Sequence, residues 1–211
     1  VDTLSEKSGS VSIVGAISPQ GSDFSEPVTQ NTKRFVRAFW ALDKELAYAR
    51  HYAAINWNLS YSEYINDLSK WYNKNVGTEF LEARQKFIAI LAEENRLMEI
   101  VKLIGKDVLP DEQKLVLEIS RVIRVGYLQQ NAFHKDDTFV PLEKQLKMMK
   151  VILYLEKTAQ SVLKEGKAFS LLLRTNMFEK VAKMKYDIPN DNLELFEEYY
   201  KLIDEAFSAI K

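Results

Sequence analysis

From residue 27 to the end, apolar side chains return every three or four positions, and this periodicity limits what the chain can fold into more than any other feature. It is the repeat of an α-helix that buries one face. The clearest instance is 191–211, where Leu193, Phe196, Tyr200, Ile203, Phe207 and Ile210 keep one stripe with acids and lysines opposite. The same spacing predicts helices over 62–73, 78–103, 111–128, 141–164 and 167–185. An earlier long helix is predicted from Thr29, a good N-cap type, to about His51, carrying Phe35, Val36, Phe39, Trp40 and Leu46. Gly77, Gly105, Pro110, Pro141, Gly166 and Pro189 fall where the periodicity lapses. No internal repeat is visible, which sets solenoids aside. The expected fold is mainly α, a bundle with short loops.

Residues 1–27 read differently. Ser and Gly are dense there, and 10–17 alternates polar with apolar residues, which predicts one strand. A strand needs a ladder for its N–H and C=O groups, and no second convincing strand follows. The expectation is that this strand belongs to a larger sheet-containing domain. With 29 basic and 30 acidic side chains the formal net charge is -1, so no long-range field gathers nucleic acid or anionic lipid. The absence of cysteine rules out disulfides, thiolate metal sites and cysteine nucleophiles, and fits a reducing cytosol. No apolar run approaches the roughly 20 residues that cross a bilayer, and no signal-peptide pattern opens the chain, so direct membrane insertion is not expected.

Four ordered blocks carry a family resemblance. The first is Gly15-Ala16-Ile17-Ser18-Pro19-Gln20-Gly21-Ser22-Asp23-Phe24-Ser25-Glu26-Pro27-Val28-Thr29-Gln30-Asn31-Thr32. The second is Phe39-Trp40-Ala41-Leu42-Asp43, and the third is His51-Tyr52-Ala53-Ala54-Ile55-Asn56-Trp57. The fourth is Gln129-Gln130-Asn131-Ala132-Phe133-His134 with Asp137-Thr138 and Pro141-Leu142-Glu143-Lys144-Gln145. Together they resemble the C-terminal part of the catalytic A subunit of archaeal and vacuolar-type rotary ATPases. That resemblance implies a remnant of the α/β nucleotide-binding domain over 1–57, with one strand and one long helix, followed by a C-terminal helical bundle over 58–211. Two departures stand out: Ala53 occupies a position where the family has Pro, and Ser22 one where it usually has Gly. An Ala there frees the backbone dihedral and restores an N–H.

The resemblance also implies roles. Tyr52 and Phe133 correspond to aromatics that form the adenine pocket, where a flat base gains roughly 1–3 kcal/mol per aromatic stacking contact. From pattern alone both read as core aromatics; the resemblance reverses that reading. Asp23, Phe24 and Glu26 lie in a turn-rich loop between Pro19 and Pro27 that corresponds to a loop facing the central rotor; a solvent loop with Phe24 tucked inward is the other reading. In the full subunit the resemblance implies ATP/ADP with Mg²⁺, a B subunit in an alternating A/B hexameric ring supplying an arginine in trans, and central-stalk rotor subunits. It further implies ATP hydrolysis or synthesis coupled to H⁺ or Na⁺ transport by a complex that is cytoplasmic and peripheral to the membrane. The competing readings are a non-catalytic B-type subunit and a stand-alone, non-catalytic helical interaction module. The Phe39-Trp40 pair and the Gln129 block argue against the first, and the unpartnered strand against the second.

No catalytic residue is expected in this chain. A phosphate-binding loop requires Gly-x-x-x-x-Gly-Lys-Ser/Thr, and Gly105-Lys106 and Gly166-Lys167 have Ile100 and Ser161 where the first Gly is needed. The chain is thus expected to bind nucleotide weakly at best and to be inactive by itself. His51 and His134 are too scattered for a metal-ligand set and are expected to bond loop backbone beside the two aromatics. The acid pairs Glu93-Glu94, Asp136-Asp137 and Glu197-Glu198 read as solvated faces, as do Lys147, Lys150, Lys180, Lys183 and Lys185.

Overall fold

The computed structural model describes residues 9–19, 21 and 23–210. Ser22 in the expected rotor-facing loop and Lys211 at the expected end of the last helix lie outside them. Among the described residues the chain is mainly α, with one two-stranded sheet.

The N-terminal part departs from expectation in two places. Residues 10–17 form no strand; Val11, Ile13 and Val14 are largely exposed. Alternation alone does not make a strand when no neighbour supplies the ladder. The predicted long helix is two short ones. Helix α1 (Pro27–Phe35) ends where Val36 turns extended, α2 spans Lys44–Tyr48, and strand β1 (Ala38–Phe39) lies between them, antiparallel to β2 (Tyr61–Ser62). Phe35 and Trp40 are exposed and Phe39 is buried, so the apolar spacing across 35–46 comes from three elements rather than one helical face. The break is built by Asp43, whose carboxylate accepts from the amides of Glu45 (2.8 Å) and Leu46 (3.1 Å) and so starts a new helix.

The C-terminal part follows its periodicity more closely. After α3 (Tyr64–Asp67) and α4 (Ser69–Asn75), the long α5 (Phe80–Ile104) and α6 (Asp111–Ile123) form an antiparallel hairpin. Then α7 (Leu142–Lys164) packs against α5, α6 and α10 (Phe196–Ser208), while α8 (Phe169–Arg174) and α9 (Met177–Asp187) close the other side. Three predicted helices are altered, the first being 62–73, where Ser62 lies in β2 and the rest divides into α3 and α4. The segment 111–128 ends in a π-helical turn, Arg124–Leu128, and 167–185 is broken at Asn176, which takes φ 60. Asn tolerates the left-handed region better than most side chains.

One core runs through α5 to α10, including Phe87, Leu91, Ile119, Ile123, Met149, Ile152, Leu155, Phe178, Val181, Phe196, Ile203 and Phe207. A smaller cluster, Leu97, Leu109 and Leu117, seals the tip of the α5–α6 hairpin. The π turn lies directly under α9: a Cβ built on Gly126 would come within 2.9 Å of Ala182 Cα. Only glycine permits that approach, and it brings the chain after residue 128 against the last turn of α9.

Candidate nucleotide-binding site

Tyr52 sits in a loop whose conformation is fixed from both ends. Upstream, α2 closes with the His51 amide donating to the Leu46 carbonyl (2.9 Å) and the Arg50 amide to the Ala47 carbonyl (3.0 Å), with Arg50 at φ 56. This pattern satisfies the last helical carbonyls and turns the chain sharply. Downstream, Leu42 bridges Ile55, the Asp43 amide donates to the Ala54 carbonyl (2.9 Å), and the Asn56 side chain donates to Asp43 Oδ2 (2.7 Å). Burial alone would raise the Asp43 carboxyl; hydrogen bonds from Asn56, Leu46 and Glu45 outweigh it and hold the group below its ordinary value. The Tyr52–Ala53 peptide bond is cis.

Phe133 projects from the loop 129–138 between the π turn and α7, and its side chain is 99% exposed; Tyr52 is 56% exposed. The two loops are joined by the Gln130 amide, which donates to the Tyr52 carbonyl at 2.6 Å, and by Gln129 Nε2, which donates to the Arg50 carbonyl at 3.3 Å. Loops about eighty positions apart in the chain are therefore adjoining, and each carries an exposed aromatic side chain. Each ring is solvated and available to a flat partner, and neither belongs to the core clusters.

The histidines flank this region. His51 is buried against Trp57, with ring centroids 5.6 Å apart, and burial together with the charges of Arg124 and Lys185 pushes its pKa down. His134 Nδ1 accepts from the Asp136 amide (3.3 Å), and its ring meets Tyr186 edge-on at 4.9 Å.

In the 23–26 loop, Asp23 is exposed and accepts from the Ser25 hydroxyl and amide, which lowers its pKa. Phe24 is half-buried, packed edge-on against Phe39 at 5.8 Å, and Glu26 Oε1 accepts from the Thr29 hydroxyl at 2.9 Å.

Several charges expected on solvated faces are buried. Lys185 and Asp137 are 1% and 2% exposed and pair with each other at 3.3 Å; Asp136 and Glu94 are also buried. Lys144, which the sequence does not single out for its charge, is fully buried and donates to the carbonyls of Ile188 (2.6 Å) and Lys185 (3.0 Å) and to Asn190 Oδ1 (2.9 Å). Burial pushes both lysines below their ordinary pKa, against the pull of the neighbouring aspartates. The signal lies in the stripe: Phe178, Val181, Ala182 and Lys185 share one helical face, as do Lys144, Met148, Val151 and Leu155. A lysine within such a stripe points inward unless it snorkels out.

Comparison with known proteins agrees with the fold. Residues 69–171 match the family described as the C-terminal domain of V and A type ATP synthase, and residues 2–62 match the nucleotide-binding domain of the ATP synthase alpha/beta family. The chain is 51% identical over 209 residues to V-type ATP synthase alpha chain 2 of Clostridium tetani, a match covering 99% of this chain and 35% of that protein. It is 49% identical over 211 residues to the V-type ATP synthase alpha chain of Halothermothrix orenii, covering 100% of this chain and 36% of that protein. The chain thus spans about a third of the length of these curated relatives. Among solved structures, ATP synthase subunit NeqB from Nanoarcheaum equitans has a TM-score of 0.54 at 19% identity over 65% of this chain and 32% of that one, a likeness of fold. Taken with the helical bundle and the two joined loops, these matches show that the chain belongs to the alpha-chain family of V- and A-type ATP synthases and carries their C-terminal domain.

Proposed function

We propose that this chain completes the adenine pocket of a rotary ATPase catalytic subunit, with Tyr52 and Phe133 as the two walls, and that its helical domain carries closure around nucleotide to the rotor. The observation that supports this is the hydrogen bond from the Gln130 amide to the Tyr52 carbonyl, which ties together two loops that each expose an aromatic ring. Stacking recognises the flat base and contributes little toward the phosphates. Phosphates and Mg²⁺ would be held by the rest of the subunit, since this sequence has no phosphate-binding loop. When bound there, the metal would neutralise charge on the transferring phosphoryl group; the residues of this chain orient the base at the other end.

In this reading residues 1–57 complete a nucleotide-binding domain and 58–211 form the lever. The exposed Ile13, Phe35, Trp40 and Leu42 support the first half, because side chains of that size find partners when a larger domain packs over them. The 23–26 loop would face the rotor through Asp23 and Glu26, with Phe24 held against Phe39 as its support. In the full complex, alternating with B subunits, the subunit would couple ATP hydrolysis or synthesis to ion movement. The test is nucleotide binding and turnover by the complete subunit in complex with its B partner. Tyr52→Ala and Phe133→Ala are each expected to weaken ATP affinity by roughly tenfold, the worth of one lost stacking contact, while lowering maximal rate much less. Unchanged affinity in both variants would rule the pocket out.

A further inference from the structure

Lys185 carries an ammonium with almost no access to water, on the last turn of α9, and its strongest polar contacts are with the loop that carries Phe133. Its Nζ donates to the Gln129 carbonyl and pairs with Asp137 Oδ2 at 3.3 Å. That same carboxylate oxygen accepts from the Asn131 amide at 2.7 Å, and Asn131 Oδ1 accepts from the Phe133 amide at 3.0 Å. The Gln130 amide, between the two anchored residues, reaches across to the Tyr52 carbonyl. One buried cation therefore stands at the root of a hydrogen-bonded path that ends at both aromatic loops.

The path is rigid at its base. Val181 and Met184, four and one positions before Lys185 on α9, are fully buried in the main core, and the Lys185 carbonyl is itself held by the Lys144 ammonium. Burying an ammonium is costly unless it is paired and fully hydrogen-bonded, and charge-assisted bonds fix geometry more firmly than neutral ones. If 129–138 had only to connect two helices, apolar packing would do so without that cost.

Building on the reading of Tyr52 and Phe133 as a base-binding slot, we propose that Lys185 is a positioning residue for it. Its ammonium pins the 129–138 loop to α9 so that Phe133, and through Gln130 the Tyr52 loop, stand ready at the spacing a purine requires. Pre-set walls bind without first having to be ordered, so the pin acts on affinity rather than on the chemical step.

The experiment uses the complete subunit in complex with its partner subunits, and measures the ATP dissociation constant and kcat for the parent, Lys185→Met, Phe133→Ala and the double variant. Lys185→Met is expected to weaken ATP binding about tenfold with kcat within about twofold, as for any loss of pre-set geometry in binding alone. The double variant is expected to bind within about twofold of Phe133→Ala, because two changes that disable one wall do not add. A merely structural lysine would instead give effects that multiply. If Lys185→Met fails to assemble, Asp137→Asn keeps size and an acceptor oxygen while removing the ion pair, and the same outcomes apply to it. Weakened binding in Phe133→Ala with unchanged binding in the Lys185 or Asp137 variant, or with multiplying effects in the double, overturns the positioning role and leaves the slot standing. Unchanged binding in Phe133→Ala removes Phe133 as a wall of the slot, and the positioning role with it.

Discussion

The contact between Gly126 and Ala182 sets a measurable limit on how the π turn and α9 can pack. A methyl group added at residue 126 would lie 2.9 Å from Ala182 Cα, 3.1 Å from its carbonyl oxygen and 3.4 Å from its carbonyl carbon. Carbon atoms at rest sit about 3.5–4.0 Å apart, so Gly126→Ala requires the two segments to part by several tenths of an ångström or more. The obstacle is the Ala182 backbone, and Val181 and Met184 of the same helix are fully buried, so there is no flexible side-chain end to give way. Overpacking costs about 1–3 kcal/mol, and a backbone obstacle at 2.9 Å puts this case at the upper end, about 2–3 kcal/mol, of which the helical preference of Ala over Gly returns about 1 kcal/mol. The net expectation is a loss of about 1–2 kcal/mol, or roughly 2–8 °C in Tm for a chain of this size. Thermal and urea unfolding followed by circular dichroism would measure it, with Gly15→Ala, whose Cβ meets nothing within 4 Å, as the neutral control. A Gly126→Ala variant as stable as the parent would refute the close approach, and with it the route by which the π turn delivers Gln129 to Lys185.

Asp43→Ala removes a helix cap and the Asn56 bond together, and is expected to cost about 1–3 kcal/mol by urea titration. Because its folded pKa is depressed, the Asp43 carboxylate contributes stability above the ordinary carboxylate range and loses it as pH falls through the folded value; the difference between parent and Asp43→Ala should shrink in acid. Burial raises Tyr200 to about 12, so the folded chain keeps a proton that the unfolded chain gives up near 10, and stability falls as pH rises through that window. Tyr200→Phe, which keeps the ring packed on Tyr154, is expected to lose less of its neutral-pH Tm between pH 10 and about 12 than the parent does.

The bundle is legible in the sequence because α5, α7 and α10 each hold one period from start to finish. The breaks are not. At 124–128 the apolar spacing continues through Tyr127 and Leu128, and a π turn shifts it by a residue without any proline or polar cluster to mark the place. At Asn176 a left-handed residue interrupts a stretch whose pattern reads as continuous. Around 36–43 the strand pairing is two residues long on each side, too short for alternation to register, and the cap that starts α2 is the available clue. The candidate site is legible only through the resemblance: no spacing joins Tyr52 to Phe133 across eighty residues. The charges supporting it escape a reading by residue type because lysine and aspartate are solvent residues by default, and the stripes holding Lys144 and Lys185 are the signal that outweighs that default.

The most direct measurement is the position of the purine ring in a structure of the complete subunit, in complex with its partners and holding an ATP analogue. The base should lie between the Tyr52 and Phe133 side chains, each ring centroid within about 4.5–7 Å of the base as aromatic contacts require. A base bound elsewhere, with Tyr52 and Phe133 both facing solvent or another protein, would contradict the assignment.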